Sequence, residues 1–168
     1  MIKLIVLDVD GTLTDGKLYV SNSGDAMKAF NVKDGLGITQ AIALGKEVVI
    51  ITGKTSQIVT RRALELGIKE IHQGIKDKIG TLEAILKKRE LDYSNVAYMG
   101  DDLIDLAVMK KSKLAGAPKD AVEEILNISD FISTKNGGDG AVREFIEYIL
   151  KNENLWDKVI NHFVPTEQ

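Results

Sequence analysis

The chain of 168 residues contains no cysteine, which removes disulfides, thiol nucleophiles and thiolate-held metals from consideration. Only two prolines interrupt it, too few for an extended disordered linker. No stretch comes near the roughly 20 apolar residues that a membrane helix needs, and the opening run Met1–Leu7 is too short for the apolar core of a secretory signal. A cytoplasmic location with no membrane partner is therefore expected. Basic residues do not dominate either: 22 Lys and Arg stand against 25 Asp and Glu, a formal charge of −3, so a nucleic-acid partner is not expected. The clusters Lys87, Lys88, Arg89 and Lys110, Lys111, Lys113 fit cations at helix C-termini. The two histidines, His72 and His162, read as loop or surface residues, since an oxygen-liganded metal does not need them.

What remains is the composition of a folded globular protein. Hydrophobic residues make up 44% of the chain, enough to fill one core, while its length is too short for two full α/β domains; one domain over residues 1–168 is expected. Short apolar runs at Ile2–Leu7, Glu47–Ile51, Ile68–Ile71 and Asn95–Met99, with weaker ones near Leu114 and Phe131, alternate with segments of helical period. Those segments are Gly35–Leu44, Ser56–Leu66, Lys78–Lys88, Leu103–Lys110, Ala121–Ile125 and Ala141–Leu150. Continuously apolar strands separated by helices are the pattern of a parallel sheet covered on both faces, an α/β fold of three layers. One stretch departs from the alternation. Lys17–Val20 and Ala26–Phe30 flank the turn-rich Ser21-Asn22-Ser23-Gly24-Asp25, which predicts a β-hairpin within residues 16–31. It either stands as a flap over the end of the first strand or extends the sheet at an edge, and the sequence leaves both readings open.

In an open parallel sheet, ligands bind beyond the carboxyl ends of the strands, so polar residues placed there converge in space. The first run ends in Asp8-Val9-Asp10-Gly11-Thr12 and the second in Thr52-Gly53. Lys78 opens the helix after the third, and the fourth ends in Gly100-Asp101-Asp102 with Asp105 one helical turn on. Taken singly, each is an ordinary helix cap or a solvated lysine. Capping does not require the ordered set on four successive units. Carboxylates crowded into a partly dehydrated cleft need a cation among them, and oxygen-only donors suit magnesium. Thr52 and Lys78 add a neutral donor and a positive charge for the oxygens of a phosphoryl group. Asp8 and Asp10, two residues apart in extended backbone, point the same way. That suggests Asp8 as a covalent nucleophile and Asp10 as the general acid that later activates water, with Gly11 permitting a tight turn and close approach of backbone amides to the phosphate.

These motifs resemble the haloacid dehalogenase superfamily, and the similarity extends over nearly the whole chain. Asp8/Asp10, Thr52, Lys78 and Asp101/Asp102 match its four motifs. The resemblance implies a Rossmannoid three-layer fold and magnesium held by Asp8, the backbone carbonyl of Asp10, and Asp101. It makes Asp102 a further metal ligand, direct or through an intervening group, and gives Asp105 a structural role in the acidic loop. Only 41 residues separate Asp10 from Thr52 and 25 separate Thr52 from Lys78, too few for a cap domain, so the hairpin must shield the site and a neighbouring subunit is expected to complete it. The strings FNVKDGLGI (Phe30–Ile38), ITGK (Ile51–Lys54), HQGIKDK (His72–Lys78), VAYMGDDLIDLAVM (Val96–Met109) and NGGDGAVRE (Asn136–Glu144) are similar to the capless branch typified by the 3-deoxy-D-manno-octulosonate 8-phosphate phosphatases. This implies release of phosphate and the free sugar acid on the route to lipopolysaccharide, by a homotetramer. It also implies substrate contacts from Lys33, Gly53, Lys54 and Arg62, whose cations suit the sugar-acid carboxylate.

The role of Asp139 stays open, its side chain being placed to support the helix start at Ala141. In the tail, about 152–168, Leu155, Trp156, Val159, Ile160 and Phe163 share one helical face, the mark of ordinary packing. Tyr19 and Tyr98 read as flap and core residues. Rival functions on sequence are a scaffold that has lost catalysis, against which the intact motif set argues, a phosphatase for a nonulosonic acid 9-phosphate or another small sugar phosphate, and a non-enzymatic phosphoacceptor domain of the response-regulator type. The response-regulator type carries its phosphorylated Asp on a middle strand after an acidic pair on the first, an order this chain does not follow.

Overall fold

Strand β1 (Leu4–Leu7) starts the sheet, and all four of its side chains are buried because helices cover both of its faces. A hairpin of β2 (Tyr19–Ser21) and β3 (Gly24–Met27) follows, then β4 (Glu47–Ile51), β5 (Glu70–His72), β6 (Val96–Met99), β7 (Leu114–Ala117) and β8 (Phe131–Ile132). Except for the hairpin, these pair in parallel in the order β5-β4-β1-β6-β7-β8. The structure, a computed structural model, describes residues 1–164, with backbone only at residues 25 and 26; the last four residues of the expected tail, 165–168, lie outside the described residues.

Helices α1 (Val32–Ala43), α2 (Gln57–Glu65), α3 (Lys78–Lys88), α4 (Leu103–Lys111), α5 (Glu123–Leu126), α6 (Ala141–Asn152) and α7 (Trp156–Phe163) complete the layers. Alternate strand residues face opposite sides, and they divide the core accordingly. Ile5, Leu7, Ile50 and Met99 pack with Ile38 of α1, Ala63 of α2, Phe145 of α6 and Val159 of α7. Leu4, Val6, Val49 and Ile51 pack with Leu82 of α3, Val108 of α4 and Ile125 of α5. Each such aliphatic side chain contributes about 1.5–3 kcal/mol when fully buried, which fixes the strand register and with it the strand-end residues.

Several expected boundaries move. The first long helix starts at Val32, before Gly35, because the Asn31 side chain accepts the Lys33 N–H at 2.8 Å and caps it. The third strand runs over Glu70–His72 and not Ile68–Ile71; Ile68 is buried, but its N–H still closes the end of α2 on Ala63. The hairpin forms a two-stranded sheet of its own, which removes the edge-strand reading. In α7, Val159 is buried and Leu155 and Trp156 pack against the core, whereas Ile160 and Phe163 are about half exposed.

Candidate active site

The chain leaves β1 and meets a tight loop at the carboxyl end of the sheet. Asp8, the first residue past the strand, is buried and donates its backbone N–H to Met99 of the neighbouring β6. Thr14 closes the loop: its hydroxyl oxygen accepts the N–H groups of Gly11 and Gly16 at 3.3 and 3.2 Å. Gly11 has φ 93°, and a Cβ there would lie 2.0 Å from Asp101 Oδ2, so both backbone and space demand glycine. This close approach brings the first motif against the fourth. Thr12 Oγ1 donates to Asp101 Oδ1 at 3.1 Å.

Lys78 reaches the same place as the first residue of α3, whose amides Asp77 caps. Its buried ammonium donates to Asp8 Oδ1 at 2.8 Å and to Asp105 Oδ1 at 2.7 Å. Asp105, fully buried in α4, also accepts the Tyr98 hydroxyl at 2.8 Å and, through Oδ2, the Asp101 N–H at 3.2 Å. It therefore supports the acidic loop, as the sequence suggested, and also anchors Lys78. Tyr98 is a core residue whose hydroxyl faces the site. Burial, with the Asp105 charge, holds its phenol well above the usual range, so it stays a donor.

One carboxylate oxygen each from Asp8, Asp101 and Asp105 lie within 4.8 Å of one another. Burial first, and then the Asp105 charge, push Asp8 up to about 6 although Lys78 pulls the other way. Burial and the charges of Asp8 and Asp105 push Asp101 up to about 8. Burial also disfavours the Lys78 ammonium, but the two carboxylates outweigh it and raise its pKa. One ammonium does not balance the cluster. The surplus negative charge, presented on oxygens alone, fits magnesium. Both oxygens of Asp105 are engaged by protein donors, which leaves Asp8 and Asp101 as the better-placed pair.

The other candidates are distributed around this centre. Thr52 is buried at the end of β4, and Gly53 and Lys54 follow it exposed. Asp102 does not join the three acids; it is exposed and caps α4 through the Leu103 N–H at 2.7 Å. Lys33 is exposed on the first turn of α1. Arg62 lies between α1 and α2, its guanidinium 5.9 Å from the Phe30 ring centre. Asp10 engages the hairpin, where Lys28 donates to its Oδ1 at 2.7 Å. The sequence reading missed Lys28, since nothing local marks a lysine on a returning hairpin strand as a partner of Asp10. His72 bonds Glu70, His162 is exposed beside Phe163, and Tyr19 bonds Asp15 on the hairpin side. No helix among the described residues is long and apolar enough to cross a membrane.

The arrangement offers a buried carboxylate, a second acid two residues away, an ammonium and oxygen donors that could hold a cation, groups of the kind that phosphoryl transfer through a covalent intermediate uses. Comparisons with known proteins agree with this geometry. Residues 55–146 match the haloacid dehalogenase-like hydrolase family. The 3-deoxy-D-manno-octulosonate 8-phosphate phosphatase of Escherichia coli is 42% identical over 157 residues, 94% of this chain and 84% of that protein. A crystal structure of the Moraxella catarrhalis phosphatase of the same name, in complex with magnesium, phosphate and KDO, superposes with a TM-score of 0.94 at 44% identity, covering 97% of this chain and 94% of that one. The cobalt-bound Haemophilus influenzae phosphatase gives 0.88 at 35% identity, covering 91% and 90%.

Proposed function

This chain belongs to the haloacid dehalogenase-like hydrolases, and from that premise we propose that it is a magnesium-dependent phosphatase acting on 3-deoxy-D-manno-octulosonate 8-phosphate. The observation that carries the reading is the meeting of Asp8, Lys78 and Asp101, from just past β1, the start of α3 and just past β6, in one largely buried cluster.

The Asp8 carboxylate attacks phosphorus, and the bond from phosphorus to the sugar oxygen breaks as an aspartyl-phosphate forms. Asp10 gives its proton to the leaving alkoxide. The Asp10 carboxylate then takes a proton from water as the water oxygen attacks phosphorus, releasing phosphate and restoring Asp8. Asp8, Asp101 and the backbone carbonyl of Asp10 are the groups assigned to the cation; Asp102, engaged as a helix cap, is given no direct contact. When bound, magnesium supplies positive charge that lets an anionic nucleophile approach an anionic phosphoryl group. Lys78 keeps Asp8 oriented and ionised, and Thr52 with the Gly53 amide is assigned to the phosphoryl oxygens. Lys33, Lys54 and Arg62 are the cations proposed for the sugar-acid carboxylate.

The hairpin is read as the flap of a single domain, and a homotetramer is part of the same proposal. Leu18, Val20 and Met27 on the hairpin and Val32 after it are 51–79% exposed, and a two-stranded unit is marginal by itself. These exposed apolar side chains call for cover from neighbouring subunits, an assembly that light scattering on the purified protein tests. A cytoplasmic location completes the reading and is tested by cell fractionation. The decisive assay is phosphate release with magnesium over a panel of sugar phosphates, including a nonulosonic acid 9-phosphate. The octulosonate ester is expected to give the highest kcat/KM; a preference for the 9-phosphate overturns the substrate assignment, and absence of turnover on every ester overturns the phosphatase.

A further inference from the structure

Helix α6 begins without a cap of its own. Its first residue, Ala141, follows Gly140 at φ 103°, which brings no side-chain acceptor, although the first four N–H groups of a helix need partners from outside it. Asp139, the nearby acid in sequence, is not the residue that serves. The acceptor comes from another helix: Asp34, in the first turn of α1, takes the Arg143 N–H on Oδ1 at 2.8 Å, and the Gly140 amide also favours its charged form. Asp34 is 2% exposed. Among the described residues its second oxygen has no partner, and it borders a small apolar cavity shared with Arg62, whose Nε is likewise unpaired among them. A buried carboxylate with one idle oxygen is a costly way to cap a helix.

What the cap holds in place is informative. The loop 136–140 leads into α6 and lies directly on the catalytic loop. Gly138 donates its N–H to the Thr12 carbonyl at 3.1 Å, and a Cβ on Gly137 would sit 1.8 Å from the Gly11 carbonyl oxygen. Thr12 in turn holds Asp101. The loop is thus pinned at its far end by Asp34 and bears on the backbone immediately after Asp10.

We propose that Asp34 is a positioning residue for phosphoryl transfer: by capping α6 from α1, it fixes the 136–140 loop against Gly11 and Thr12 and so sets where Asp10 and Asp101 stand. The inference rests on the phosphatase reading of the site, and two readouts keep the two apart. If the wild type releases no phosphate, the phosphatase reading fails whatever Asp34 does. With turnover established, Asp34→Ala is expected to lower kcat at least about tenfold with KM nearly unchanged, since small displacements at a reacting centre are that costly. Asp34→Asn, which keeps the acceptor for Arg143, is expected to retain near wild-type kcat. Asp34→Glu, which keeps the charge and displaces the oxygens, is expected to lose kcat, and it stands in should the Ala variant not fold. Hydrogen exchange, which needs no turnover, is expected to rise at the amides of residues 11–14 and 138–143 in the Ala or Glu variant and not in Asp34→Asn. Wild-type kcat in Asp34→Ala or Asp34→Glu, or an equal loss in Asp34→Asn, overturns the proposal.

Discussion

Replacing Lys78 by Met removes the only ammonium bonded to Asp8 and Asp105 among the described residues. Its Nζ stands 2.8 Å from Asp8 and 2.7 Å from Asp105, and the three side chains are at most 5% exposed. Removing one partner of a buried pair costs about 3–5 kcal/mol, because the remaining charge is left uncompensated. Here two carboxylates lose their partner, and proton uptake limits the damage, since Asp8 already sits at about 6. A loss of about 4 kcal/mol corresponds to a fall of about 10 °C in Tm for a chain of this length. The assay is thermal unfolding at neutral pH in the presence of a chelator, so that no dication replaces the missing charge. Adding Asp105→Asn to Lys78→Met removes one of the stranded carboxylates, so the two substitutions are expected to be non-additive by about 1–3 kcal/mol. The kcat of Lys78→Met is expected to fall by about 10²–10³-fold, the scale of losing one electrostatic contact at a reacting phosphoryl group. Unchanged melting, or strict additivity with Asp105→Asn, refutes the ion-pair reasoning.

Asp34 is pushed up from 3.8 to about 6 by burial, so the folded state holds its proton more tightly than the unfolded chain does. The stability this gives is fully present below about pH 4 and is lost as pH rises to about 6; across that window wild type should lose about 3 kcal/mol relative to Asp34→Asn. Urea unfolding reads the difference, and parallel pH profiles count against it. Gly11→Ala, placing a Cβ 2.0 Å from Asp101 Oδ2, is expected to weaken magnesium binding and to reduce phosphate release by about a hundredfold or more; wild-type magnesium affinity contradicts this. Magnesium at a hundredfold excess over Kd is expected to stabilise the wild type by about 2.7 kcal/mol. The accompanying rise in Tm should vanish with chelator and in Asp101→Asn; a rise that survives Asp101→Asn moves the cation elsewhere.

The sheet was legible because its strands are buried on both faces, which leaves an uninterrupted apolar run that few other elements produce. From strand ends and one helix start, Asp8, Thr52, Lys78 and Asp101 could be placed on one rim, and Asp8, Lys78 and Asp101 do meet there. Contacts between distant segments without a local pattern were not legible. Lys28 meets Asp10 only because the hairpin folds back, and Tyr98 meets Asp105 only because a strand residue turns its hydroxyl toward the following helix. Nothing local marks Asp34 as a cap for another helix; its partner is 109 positions away. The boundary at Ile68 failed because an apolar residue closing a helix and one opening a strand read alike. Asp102, in the same acidic string as Asp101, has a role that only the structure shows: its Oδ1 caps α4 on the Leu103 N–H.

The central claim is that the Asp8 carboxylate becomes covalently phosphorylated. Rapid acid quench during turnover, followed by peptide mass spectrometry, reads it directly. The expected result is a hydroxylamine-sensitive phosphoryl adduct on Asp8 that accumulates in Asp10→Asn and is absent from Asp8→Asn. Turnover by Asp8→Asn at the wild-type rate, or an adduct on another residue, contradicts it.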